Sequence, residues 1–281
     1  MPGLSPIAWI GVFLAGFSIS VALFGPYLAP YRPDEIFGIA FAPPSSEHLL
    51  GLDIVGRDAL SRVLWGGRTA IFVALIGNVI GFVIGAVIGL VAAYRRGWLD
   101  ELIGRATDLA LAFPALILSL LLLAAFGTSL TVVVIAIAVT TVPGVLRITR
   151  ATSMEIVDLP YIEAARARGE RASFVMVVEM LPNIRGPLIV HFGVHLTSAI
   201  LLVAALSFVG LGLQPPAADW GLMIGENRVG LTVQPWPVVV AVCLIASLTI
   251  GINLAIDGYR RQAGPRSTAQ TGASSQLGNR A

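Results

Sequence analysis

Six stretches, roughly 7–28, 69–93, 106–126, 130–146, 186–213 and 236–256, stay apolar over about the 20 residues that a helix needs to cross a hydrocarbon core ~30 Å thick. Inside lipid each backbone N–H and C=O has to find its partner within the chain, and a lone apolar run does this as an α-helix. The expected fold is therefore an all-α integral membrane protein with six transmembrane helices. Composition agrees, since 56% hydrophobic residues and charge at only 12% of positions leave too little polar surface to cover a soluble globule.

The first run follows six residues without Arg or Lys and is long enough to span, so it reads as a retained anchor rather than a cleaved signal. All eighteen basic residues are arginine. Without lysine the chain has no Walker A loop and no Schiff-base amine, so any ATP that drives it must be bound by a partner. The net charge of +2 gives no reason to expect nucleic acid. The single cysteine, Cys243, lies in an apolar run, allows no intrachain disulfide and reads as a buried small hydrophobe.

Arginine placement sets the orientation. With the N-terminus inside, segments 94–105, 147–185 and 257–281 face the cytoplasm and carry thirteen arginines, against five in the outer segments 29–68 and 214–235. Both termini are then expected to be cytoplasmic. Three parts follow: a first helix and outer segment over 1–68, a core of five spans over 69–260, and a tail over 261–281 whose Ser, Gly and Gln content predicts disorder. In the second span Gly77, Gly81, Gly85 and Gly89 recur every four residues, a stripe on which a neighbouring helix can pack closely.

The inner loop 147–185 contains YIEAARARGERASFVMVVEMLPN, residues 161–183. Asp158 and Pro160 predict the start of a short helix, Gly169 its left-handed end, and Pro182 a break after a second short helix. Ala164 and Ala165 give the first helix a small flank beside Glu163, while Arg166 and Arg168 offer charge. On pattern alone the knuckle suits either docking to a protein groove or lying on the bilayer surface.

Glu163-Ala164-Ala165, Gly169 and Leu181-Pro182 resemble the EAA loop of the inner-membrane permeases of bacterial ABC importers. Three further stretches place the resemblance in the dipeptide, oligopeptide and nickel branch: HLLGLDIVGRDALSRVLWGGRTA (48–70), TDLALAFP (107–114) and LSFVGLGLQPPAADWG (206–221). Leu52 departs from the family's usual Thr, Val178-Glu179 from a basic pair, and Asp219 from a small residue. The resemblance implies the MetI-like permease core and a coupling role for Glu163, Ala164, Ala165, Arg166, Arg168, Gly169, Leu181 and Pro182. It also implies import of peptides through a path shared with a second homologous permease. The other partners it implies are two P-loop ATPase subunits and an external substrate-binding protein docking on the outer segment. No cofactor, metal or catalytic residue is expected.

Ionisable and polar groups within spans invite a functional reading. His191 and His195 share a helix face. With Phe at 192 the zinc-protease pattern HExxH fails, which leaves a wet cavity, helix packing or the lining of a substrate path. Asn78 fits either a bond to a neighbouring helix or the path. Arg105 and Asp108 are expected to pair, and Asp53, Arg57, Asp58 and Arg62 to pair among themselves ahead of the second span. An ion-coupled secondary transporter, the rival reading, calls for internal repeats that the halves of this chain lack.

Overall fold

In the computed structural model, which describes residues 6–263, the apolar runs become helices gathered around α2 (Ala59–Arg95). α1 (Pro6–Leu28) precedes it. α3 (Trp98–Ala112), α4 (Ala115–Phe126), α5 (Leu130–Ile156) and α6 (Pro160–Ala167) follow. α7 (Ala172–Phe174) then leads through a π-helical turn (Val175–Met180) into α8 (Leu181–Phe208), and α9 (Trp220–Asn227) and α10 (Trp236–Ala263) complete the described chain. The expected disordered tail falls, from residue 264 on, outside the described residues.

Among the described residues five helical runs are long and apolar enough to span a bilayer: α1, α2, α5, the continuous Ala172–Phe208 and α10. The third expected span is not straight. α3 and α4 make a sixth span only when taken together across an 87° bend. Phe113 is extended there (φ −86°, ψ 127°) because the ring of Pro114 disfavours helix at the preceding residue. α3 is then free to lie along α5, tied by Asp100 to Arg150 (Nη2–Oδ2 2.7 Å) and by Asp108 to Arg147. The expected Arg105–Asp108 pair is therefore absent. Arg105 instead turns back one turn to Glu101, the favoured i, i+4 order.

Pro182 does not break the chain either. The Leu181 N–H reaches the Met176 carbonyl across the π turn, and Pro182 sits in the first turn of α8, where no N–H is needed. The fifth span consequently begins earlier and ends at Phe208 rather than near 213.

The glycine stripe of α2 finds its partner in α5. A Cβ added at Gly77 would come within 2.7 Å of the Ile137 side chain, at Gly81 within 2.6 Å of the Ala138 carbonyl, and at Gly85 and Gly89 within 2.8 Å of the Val142 and Leu146 carbonyls. The backbones touch along four turns. α1 packs on α10 through a second small-residue contact, Gly11 and Ala15 against Gly251 and Ala255, with Ser18 bonded to Ser247. α10 buries Ala241, Leu244, Ile245 and Leu248, a 3–4 spacing that turns Cys243 outward, so the cysteine is exposed rather than buried.

Candidate functional site

Most of the expected coupling residues meet in a knuckle at one end of the bundle. α6 begins with Pro160 and has no side-chain cap, because Asp158 pairs with Arg96 at the end of α2 instead of capping. Its other end closes as a Schellman motif: Gly169, at φ +79°, donates to the Arg166 carbonyl (2.9 Å), and Glu170 donates to the Ala165 carbonyl (3.2 Å). None of the described residues lies within 4 Å of where a Gly169 Cβ would sit, so the backbone angle is what demands glycine there.

Beneath α6 lies an apolar seat that fixes it to the bundle. Ile162 and Ala165 are fully buried against Val157, Val175, Met180, Ile184, Leu188 and Leu90, with Tyr94 and Leu181 at the edge. Ala165 thus faces inward and belongs to the seat, whereas Glu163, Ala164, Arg168 and Pro182 are exposed. Arg168 lies 3.8 Å from Glu179, so the acidic departure in the loop has a partner inside the knuckle. Arg166 stacks its guanidinium over Tyr94, 4.5 Å from the ring centroid, which ties α6 directly to α2. Tyr94 and Arg96 escaped the sequence reading because their partners lie more than sixty residues away.

Mid-bundle, a cavity of about 370 Å³ lies between α4, α5 and α8, lined by Leu116, Thr140, Thr141, His195 and Ser198 among others. Gly144 makes room for His195, whose ring atom Cε1 would stand 2.5 Å from a Cβ at that position. His191, half-buried, does not line this cavity and lies 6.3 Å from His195 between ring centroids. Asn78 is fully buried and donates to the Phe192 carbonyl of α8 (3.3 Å), and its Oδ1 makes no hydrogen bond among the described residues.

At the opposite end, two of the stretches quoted above, far apart in sequence, meet. Gly66 and Gly67 of α2 form a flat bed for Trp220, which is 1% exposed and donates from Nε1 to the Val63 carbonyl (2.8 Å). Beside it Arg57 bridges Asp53 (2.8 Å) and Glu226 of α9 (3.0 Å), and Arg62 bonds the same two carboxylates, at 2.7 Å for Glu226. Asp58 belongs to a separate arrangement, capping α2 through Ser61 N–H (2.7 Å) and meeting His48 (2.9 Å). Burial by itself raises the Asp53 carboxyl, but the Arg57 N–H and the guanidiniums of Arg62 and Arg57 outweigh it and hold the group below the usual carboxylate range. Asp219 caps α9 through Leu222 N–H (2.9 Å) and is fully buried, and that burial pushes its carboxyl up to about 6. Glu226 was not legible as a partner, lying 164 residues from Arg62.

Residues 81–263 match the family described as binding-protein-dependent transport system inner membrane component. The chain is 38% identical over 252 residues to the di/tripeptide transport system permease protein DppC of Pseudomonas aeruginosa, covering 87% of this chain and 83% of that one. It is 33% identical over 250 residues to the glutathione transport system permease protein GsiD of Pectobacterium atrosepticum (88% and 83%) and 33% over 266 residues to the dipeptide permease DppC of Haemophilus influenzae (92% and 90%). In fold it resembles a chain of the inward-facing MetNI methionine ABC transporter, with a TM-score of 0.56 and 18% identity over 70% of this chain and 96% of that one. With the family model covering most of its length and relatives matched nearly end to end, the chain belongs to the binding-protein-dependent transport system inner membrane components, the multi-pass permease subunits of ABC importers.

Proposed function

We propose that this permease forms one half of a peptide-conducting path and takes its power from separate ATPase subunits through the α6 knuckle. The observation that carries the reading is the knuckle itself. A short helix, held on an apolar seat and tied to α2, presents Glu163, Ala164, Arg168 and Pro182 outward at the end of the bundle where arginines concentrate. A groove on a P-loop ATPase would take this surface, with Ala165, Gly169 and Leu181 holding its shape and Arg166 linking it to α2.

The knuckle end is then cytoplasmic, as are both termini, in keeping with the arginine excess on that side. The chain has no lysine for a Walker A loop, so hydrolysis belongs to the partners. A second, homologous permease completes the path, and an external binding protein docks on the α9 side. Relatives named for dipeptides, di/tripeptides and glutathione, itself a tripeptide, support short peptides as the cargo. On this reading His195 faces the path through its cavity, His191 lies beside it, and Asn78 holds α2 to α8.

Tagged chain extracted in mild detergent from its native membrane should bring down a second permease and P-loop ATPases. Recovery of the chain alone, from an extract in which a control ABC importer survives intact, overturns the reading.

A further inference from the structure

Between α1, α2, α8 and α10 runs a crevice of about 330 Å³. Ala22, Ile200 and Leu248 form its buried floor, and Leu23, Phe72 and Leu75 rise as partly exposed walls. Its lining is apolar apart from one charged side chain, Arg68. Arg68 is exposed, and no ion pair or hydrogen bond engages it among the described residues. It stands immediately before the apolar stretch 69–93, a position from which a long basic side chain can reach the headgroup layer.

These features restrict what can fill the crevice. Water has no partners there beyond the rim, and apolar cavities without polar partners stay free of it. A partner's helix, about 10 Å across with its side chains, is too wide for a volume of this size. A hydrocarbon chain is narrow enough, and the unpaired guanidinium at the mouth calls for an anion. We propose that the crevice holds an acyl chain of an anionic phospholipid whose phosphate rests on Arg68. Because α1 supplies one wall and α2, α8 and α10 the others, the bound lipid fastens the first helix to the rest of the bundle. The inference does not depend on what the permease carries.

The permease, purified with its accompanying subunits in mild detergent, is assayed by mass spectrometry for phosphatidylglycerol and phosphatidylethanolamine retained per chain. It is then stripped of lipid and offered vesicles of equal phosphatidylglycerol and phosphatidylcholine. The unaltered protein should retain phosphatidylglycerol above its share of the membrane and take it up again from the vesicles. Arg68→Gln should lower that retention about fivefold, the factor that one arginine's attraction to an anionic surface supplies. Leu75→Trp, which fills the crevice from its wall, should abolish retention. Arg68 is at the surface, so Arg68→Gln tests the headgroup contact even if Leu75→Trp fails to fold. Equal retention by the unaltered protein and Arg68→Gln, no enrichment of phosphatidylglycerol in the unaltered protein, or preferential retention of a zwitterionic lipid each overturns the proposal.

Discussion

Gly169 is a position whose demand could be read from the sequence and whose geometry bears it out. At φ +79° a β-branched side chain costs on the order of 1–2 kcal/mol, yet the site is open, so the strain stays in the turn. Gly169→Val should leave the bundle assembled and abolish peptide uptake while ATP hydrolysis persists. Normal uptake by well-expressed variant would exclude a coupling role. Asp219 makes a second prediction. Its carboxyl is raised to about 6, so the folded state binds the proton more tightly than the unfolded chain. The resulting stabilisation is complete below about pH 4 and disappears as pH rises through 6, at most roughly 3 kcal/mol in all. Hydrogen exchange of the α9 amides, corrected for intrinsic rates, should show protection falling from pH 5 to pH 8. Asp219→Asn, which keeps the cap acceptor, should flatten that profile, and identical profiles would exclude Asp219 as the cause. Ala165 and Asp158 show the limit of residue-level reading. Ala165 follows the phase of a helix whose seat is built by four other elements, and Asp158 answers to Arg96, 62 residues earlier.

At the scale of elements, helix existence was legible wherever apolar runs were long, and the α2 stripe announced close packing without naming its partner. The sequence pattern gives spacing but not the facing surface, and α5 is identified only by the atoms that a Cβ would strike. Gly81→Leu should separate α2 from α5 and cost several kcal/mol, because backbone rather than a flexible side chain stands in the way. Loss of folded protein from the membrane, measured by detergent-resistant fluorescence of a fused reporter, checks this. An ordinary yield of stable protein would mean that the two helices can move apart freely. The α3–α4 elbow was less legible, since the apolar stretch 106–126 runs on through Phe113-Pro114. The proline was visible, but the bend direction depends on Asp100 and Asp108 finding arginines on α5.

Across the whole molecule α2 reaches both ends, about 55 Å of helix with the knuckle at one terminus and the α9 ion cluster at the other. Arg62, wholly buried, is shared by Asp53 and Glu226, and removing one member of such a cluster leaves a buried charge uncompensated. Arg62→Met should destabilise the α9 end by about 3–5 kcal/mol, and a second change, Glu226→Leu, should recover part of that loss. Thermal unfolding of the purified complex measures both, and additive losses would show that the two side chains act independently. The sequence anticipated pairing among Asp53, Arg57 and Arg62 because they are neighbours along the chain. It gave no hint of Glu226, whose arrival depends on the entire bundle folding first.

The outward turn of Cys243 provides a ready-made attachment point for spectroscopy. With no other thiol in the chain and this one on the exterior of α10, a nitroxide or fluorophore attaches at one known place without prior mutagenesis. Paired reagents, one lipid-soluble and one membrane-impermeant, then report whether that helix face looks into acyl chains or water as the transporter turns over.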